Sequence, residues 1–159
     1  MHNRHRPEER GRLMEFRLIV DKTAEENVTA TVHAPNALTD ELETLVRQYT
    51  GTDTLTGYAE GERRLLHFGE ITCIYVEGGK TYAAAADGGI YQLRLRLYEA
   101  AQRLPAAFIR FNKSAIGSLQ QLERFTSSVT GAVDAVFRGG HREYVSRRCF
   151  ADIRRRLEK

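Results

Sequence analysis

Ile71-Thr72-Cys73-Ile74-Tyr75-Val76-Glu77-Gly78-Gly79-Lys80-Thr81-Tyr82-Ala83-Ala84 is the stretch that decides the fold. Its first six residues are almost continuously apolar, the pattern of a central strand covered on both faces. Glu77-Gly78-Gly79-Lys80 turns the chain and Thr81–Ala84 returns, because a two-residue hairpin turn needs positive φ, which glycine adopts at no steric cost. Asp87-Gly88-Gly89 and Gly139-Gly140 repeat that turn chemistry. Arg64–Phe68 reads as a further short strand. Tyr91, Leu93, Leu95 and Leu97 alternate with Gln92, Arg94 and Arg96, as in a half-buried strand with a cationic outer face. Three Gly-Gly pairs between short strands predict a mainly β architecture.

Helices punctuate this pattern. Leu97–Leu104 is helical up to Pro105. The last helix starts at Ser146, a good N-cap, and puts Phe150, Ile153 and Leu157 on one face. Upstream, Thr39 is placed to cap a helix with Asp40 and Glu41 in its first turn. Leu38, Leu42, Leu45, Val46 and Tyr49 line one face, and Gly51 ends it. Glu15–Val20 and Val28–Val32 read as strands, the second stopped at Pro35-Asn36. The expected organisation is therefore a disordered basic tail over 1–13, a small acidic α/β segment over 14–50 and a β-rich module over 55–159. The middle segment is too small to stand easily alone, so it is expected to pair two protomers or to pack on the module.

The 159 residues carry 24 Lys+Arg and 21 Asp+Glu, a net +3 that hides a strong asymmetry. Residues 1–13 carry +2, residues 14–62 carry −7 and residues 63–159 carry +8. An acidic front and a basic module suit a polyanionic partner. No apolar run approaches the roughly 20 residues that span a bilayer, so no membrane insertion is expected. Met1-His2-Asn3-Arg4-His5-Arg6 has no apolar stretch behind it, which predicts a cytoplasmic protein with reduced thiols.

Enzyme chemistry finds no support in the sequence. There is no Gly-x-Ser-x-Gly, no phosphate-binding loop, no Gly-x-Gly-x-x-Gly and no His-Glu-x-x-His. His2, His5, His33, His67 and His141 show no metal-pair spacing on one helix or hairpin. No catalysis, metal or cofactor is expected. Cys73, on a buried strand, reads as a small core residue. Cys149, beside two arginines at a helix start, is the candidate for a redox role.

The remaining motifs are Phe108-Ile109-Arg110-Phe111-Asn112-Lys113-Ser114, after a helix ending Leu104-Pro105, and Tyr144-Val145-Ser146-Arg147-Arg148 some thirty residues later. With the Val76–Tyr82 turn upstream, their order resembles the LytTR DNA-binding domain of bacterial transcription regulators, from about Leu55 to Leu157. The resemblance implies a β-rich DNA-binding fold without a helix-turn-helix, in which loop and turn residues enter successive major grooves at tandem sites. It is similar to the stand-alone form that lacks a receiver domain. By motif position, Lys113 and Arg148 match the main base-reading positions, and Lys80 and Thr81 the third contact turn. Arg110, Asn112, Ser114 and Arg147 fall within reach of phosphate or base. Double-stranded DNA is the implied partner; a second copy of the chain is the partner expected from the small front segment.

The residue chemistry agrees with this. Arg and Lys pair with guanine acceptors in the major groove, and Asn pairs with adenine. Arg147 and Arg148 stand at the positive end of a helix dipole, a placement an anion would relieve. Arg154, Arg155 and Arg156 sit at the other end, where the dipole alone accounts for cations. The chain departs from the family pattern at Gly117 and Ser118, and Gly117 is expected to loosen the strand after the contact loop. A basic β-module binding single-stranded RNA or a protein partner is the alternative reading. It needs exposed aromatics beside the basic groove, whereas Tyr75, Tyr82, Phe108 and Phe125 are expected in the core.

Overall fold

The computed structural model describes residues 14–158; the expected tail over 1–13 lies outside the described residues. Helix α1 (Ala37–Thr50) leads into β1 (Thr54–Ala59), β2 (Glu62–His67), β3 (Ile71–Glu77), β4 (Lys80–Ala85) and β5 (Ile90–Leu93). Helix α2 (Leu97–Arg103) precedes β6 (Phe108–Asn112), β7 (Ala115–Ser118), β8 (Leu122–Ser127), β9 (Val133–Phe137) and β10 (Arg142–Val145), and α3 (Arg147–Leu157) closes the chain. The strands form a seven-stranded antiparallel sheet, ordered β2-β1-β5-β4-β3-β7-β6, and a three-stranded one, ordered β10-β9-β8.

Strand β3 lies inside the large sheet and is covered on both faces, as its unbroken apolar run predicts. Ile74 joins Leu55, Leu66, Phe68, Leu93, Leu97 and Leu104 under α2. Cys73 faces the other way, among Phe111, Phe137, Val145 and Ile153, where the small sheet and α3 pack. A register shift between Ile71 and Cys73 accompanies this division. The β3–β4 hairpin closes through Gly78 (φ 59°) and Gly79 (φ 77°), with Glu77 opposite Lys80.

Gly117 is packed rather than loose. A Cβ there would lie 2.5 Å from Phe137 Cζ and 2.7 Å from Phe111 Cε1, so the glycine makes room for the Phe111–Phe137 ring pair. Strand β5 also ends earlier than the alternation suggests. It stops at Leu93, the chain bends, and the Arg96 amide donates to Glu99 Oε1 at the start of α2. Arg94 is exposed and lies over the Tyr58 ring, 3.9 Å from its centroid.

The acidic front differs most from expectation. Among the described residues Glu15–Val20 and Val28–Val32 belong to no strand, because neither edge strand of the large sheet, β2 or β6, pairs with them. Without a ladder partner their apolar side chains stand in solvent, with Phe16 at 90% and Ile19 at 74% exposure. Helix α1 forms, but Asn36 caps it in place of Thr39, through reciprocal bonds with Thr39 of 2.9 and 3.1 Å. It docks through polar residues. Arg156 of α3 donates both terminal nitrogens to Asp40 (2.6 and 3.0 Å), and Glu43 Oε1 accepts from the Ala106 amide (2.8 Å). Arg156 is thus a clamp between α3 and α1, beyond what the helix dipole requires. Leu38, Leu45 and Tyr49 remain exposed.

Candidate nucleic-acid interface

Three turns meet at one end of the molecule, each tied to the next by main-chain bonds. The β3–β4 turn adjoins the β6–β7 turn because Val76 N donates to Ser114 O (2.9 Å) at the end of the β3–β7 ladder. The β6–β7 turn adjoins the β10–α3 junction because Ser146 N donates to Phe111 O (2.9 Å). Residues far apart in sequence are thereby fixed to one scaffold.

Asn112 is the keystone of this arrangement. It is only 8% exposed, and its side chain spans all the local backbone. Its amide nitrogen donates to Tyr144 O (2.7 Å) and to Glu143 Oε2 (3.0 Å), while its Oδ1 accepts from Ser114 N (2.7 Å). That last bond folds Lys113 into the apex of a tight turn, the usual role of an Asn side chain bonding its own backbone two residues on. Arg110 braces the same turn by donating to Lys113 O (2.9 Å). Ser146 caps α3 by accepting from Cys149 N (3.2 Å), which leaves Arg147 and Arg148 as the first two helical residues.

The sequence-read residues therefore separate into two groups. Lys80, Lys113, Arg110, Arg147 and Arg148 are exposed and Ser114 is half-buried. Thr81 is buried between Val76 and Leu93 in the sheet, and Asn112 is buried with its polar atoms engaged. Among the described residues, none of Lys80, Lys113, Arg147 and Arg148 has a carboxylate within ion-pair distance. Four unneutralised cations at one end, two of them on a helix N-terminus, make a positive surface that an anion would relieve.

Sequence reasoning missed two features. Tyr144 is 51% exposed on β10, next to the cationic turns. Beneath the turns, His141 lies 3.0 Å from Glu143 and stacks on Tyr75 (centroids 4.6 Å apart), with the Cys73 thiol close by. Burial, and secondarily the Glu143 carboxylate, push the Cys73 thiol well up. Burial, with Glu77 next, raises the Tyr75 phenol. Spacing on one strand suggests only the His141–Glu143 half of this group. Cys73 joins it from the other sheet, through a long-range contact that no local pattern encodes.

An antiparallel β scaffold that holds its free cations on turns and a helix start, with no two α-helices consecutive in the described chain, defines a loop-presenting β domain. Residues 61–158 match the LytTr DNA-binding domain, and the chain belongs to that family. It is 28% identical over 148 residues to an uncharacterized HTH-type transcriptional regulator of Staphylococcus aureus strain bovine RF122, covering 91% of this chain and 99% of that protein. A protein of the same description from strain MSSA476 is 29% identical over 129 residues, covering 79% of this chain and 86% of that one. The fold is similar to the LytTr DNA-binding domain of a methyl-accepting/DNA response regulator from Bacillus cereus, with a TM-score of 0.57 and 19% identity. That match covers 65% of this chain and 94% of the other. Among the described residues no helix is long and apolar enough to cross a membrane.

Proposed function

We propose that this protein is a sequence-specific regulator of transcription that binds double-stranded DNA in the cytoplasm, with no catalytic step of its own. The observation that carries the reading is the meeting of three turns whose exposed Lys80, Lys113, Arg147 and Arg148 have no acidic partner among the described residues. Lys113 and Arg148 enter the major groove, where Lys and Arg match the O6 and N7 acceptors of guanine. Lys80, Ser114 and Arg147 meet phosphates and set the register, the amide-rich start of α3 assisting. Arg110, Asn112 and Thr81 act from behind, holding the turns in shape. Successive grooves on one side of tandem sites suit turns fixed to a common rigid end.

The unit that binds is a homodimer. The exposed segment Glu15–Val20 has no ladder partner among the described residues, and a second copy supplies one. Antiparallel self-pairing with Phe16 opposite Phe16 sets Glu15 opposite Arg17, an opposite-charge pair on each side. By this reading the domain over 55–159 contacts DNA and the segment over 14–50 joins the protomers.

Single-strand binding is disfavoured because a stacking surface needs several free aromatics. Tyr75 and Tyr82 stack on each other at 5.7 Å and are half-buried, which leaves Tyr144 alone exposed on the strands that carry the turns. The test is binding of Lys113→Ala and Arg148→Ala to a specific duplex and to random duplex. Each should cost about 1–3 kcal/mol on the specific site and less on random DNA. Equal losses on both would reduce the two residues to phosphate contacts.

A further inference from the structure

The three side chains under the turns, Cys73, His141 and Glu143, form a group of a different kind. Each offers one ligand atom, and these atoms all lie within 4.8 Å of one another. The donors are a thiol, an imidazole and a carboxylate, which is the set that suits a borderline divalent ion such as zinc. They come from two sheets. Cys73 is on β3, an interior strand of the large sheet, Glu143 is on β10 of the small sheet, and His141 directly precedes that strand. The group is also pre-positioned. Tyr75 holds the imidazole plane by stacking, and Asn112 donates to Glu143 Oε2 while Oε1 faces His141. Such outer partners orient the ligands of metal sites. The thiol is fully buried, whereas the His141 and Glu143 side chains keep 16% and 17% exposure, so the group faces solvent on the His141–Glu143 side.

We propose that Cys73, His141 and Glu143 bind one zinc-like divalent cation between the two sheets, directly beneath the cationic turns. Binding releases the Cys73 proton to solvent and replaces it by the metal–sulfur bond. The ion staples β3 to β10. Through Glu143, which accepts from Asn112, and Asn112, which accepts from Ser114 N, it is two hydrogen bonds from the turn that carries Lys113, so occupancy and the shape of that turn are linked. The site stands on its own geometry and does not depend on DNA being the partner.

The test uses the full chain, reduced and stripped with chelator, titrated with Co2+ and then Zn2+ without DNA. One Co2+ per chain should give a thiolate-to-metal charge-transfer band in the near ultraviolet, and Zn2+ should remove it. Cys73→Ser should abolish the band. Glu143→Gln and His141→Gln should each weaken binding about tenfold or more, since even outer-shell partners are worth that. Circular dichroism reports whether each variant folds, and if Cys73→Ser does not, the other two carry the test. Cys149→Ser and a His2→Ala/His5→Ala variant should bind as the parent does. No band in the folded parent would overturn the site. So would a band that survives Cys73→Ser, or one lost with Cys149 or the two tail histidines.

Discussion

Replacing Asn112 with alanine separates holding a turn from touching DNA. The side chain makes three hydrogen bonds: to Tyr144 O, to Glu143 Oε2 and from Ser114 N. Two are neutral and one engages a carboxylate. Neutral bonds are worth about 0.5–1.5 kcal/mol each and the charged one about 1.5–3, an upper sum of about 2.5–6 kcal/mol. Glu143 keeps its contact with His141, and the Ser114 and Tyr144 main-chain groups stand near enough to the surface for water to replace part of the loss. The expected cost is therefore about 2–4 kcal/mol in urea or thermal unfolding. DNA affinity, measured well below the unfolding midpoint, should fall on both duplexes and more on the specific one, because the turn that carries the base-reading Lys113 and the phosphate-facing Ser114 loses its shape. Unchanged stability with a loss confined to the specific site would refute this reasoning and make Asn112 a base reader.

Other consequences follow from packing and pairing. Gly117→Val should destabilise by about 1–3 kcal/mol or more in chemical denaturation, because its side chain collides with the Phe111 and Phe137 rings. Arg156→Met should cost about 3–5 kcal/mol by leaving Asp40, 5% exposed, without its partner. Adding Asp40→Leu should recover much of that loss in the same assay. Phe16→Glu should shift the protein from dimer to monomer in sedimentation velocity and leave the melting of the β module unchanged. A monomeric parent would remove the basis for that expectation.

Much of the fold can be read because its signals are local. The unbroken apolar run of β3, the Gly78-Gly79 turn and the Ser146 cap each act within a few residues, and each appears where expected, whereas Gly88-Gly89 and Gly139-Gly140 lie in four-residue loops and Gly89 does not take positive φ. Strand β1 gives little signal, since Thr54–Ala59 carries one buried Leu and a glycine and takes its place by pairing with β2 and β5. The front segment fails for the opposite reason. Its alternation is that of a strand, but a strand is a property of a pair, and the chain described provides no partner. At the interface, residue types point to the right motifs without separating Lys113, which is exposed, from Asn112, which is buried one position away. That distinction depends on bonds to Glu143 and Tyr144, about thirty residues downstream. The Cys73 contact is longer still and leaves no trace in any local pattern.

The central claim is sequence-specific recognition of duplex DNA by the cationic turns. Its most direct test is fluorescence anisotropy of the full chain on duplex from the region upstream of its own gene, against scrambled duplex, across a salt series. Specific recognition predicts a gap of about 10³ or more in affinity. It also predicts a log–log salt slope that becomes shallower by about one when Arg147 or Lys80 is removed. Weak binding, equal on both duplexes and unaffected by loss of Lys113 or Arg148, would contradict it.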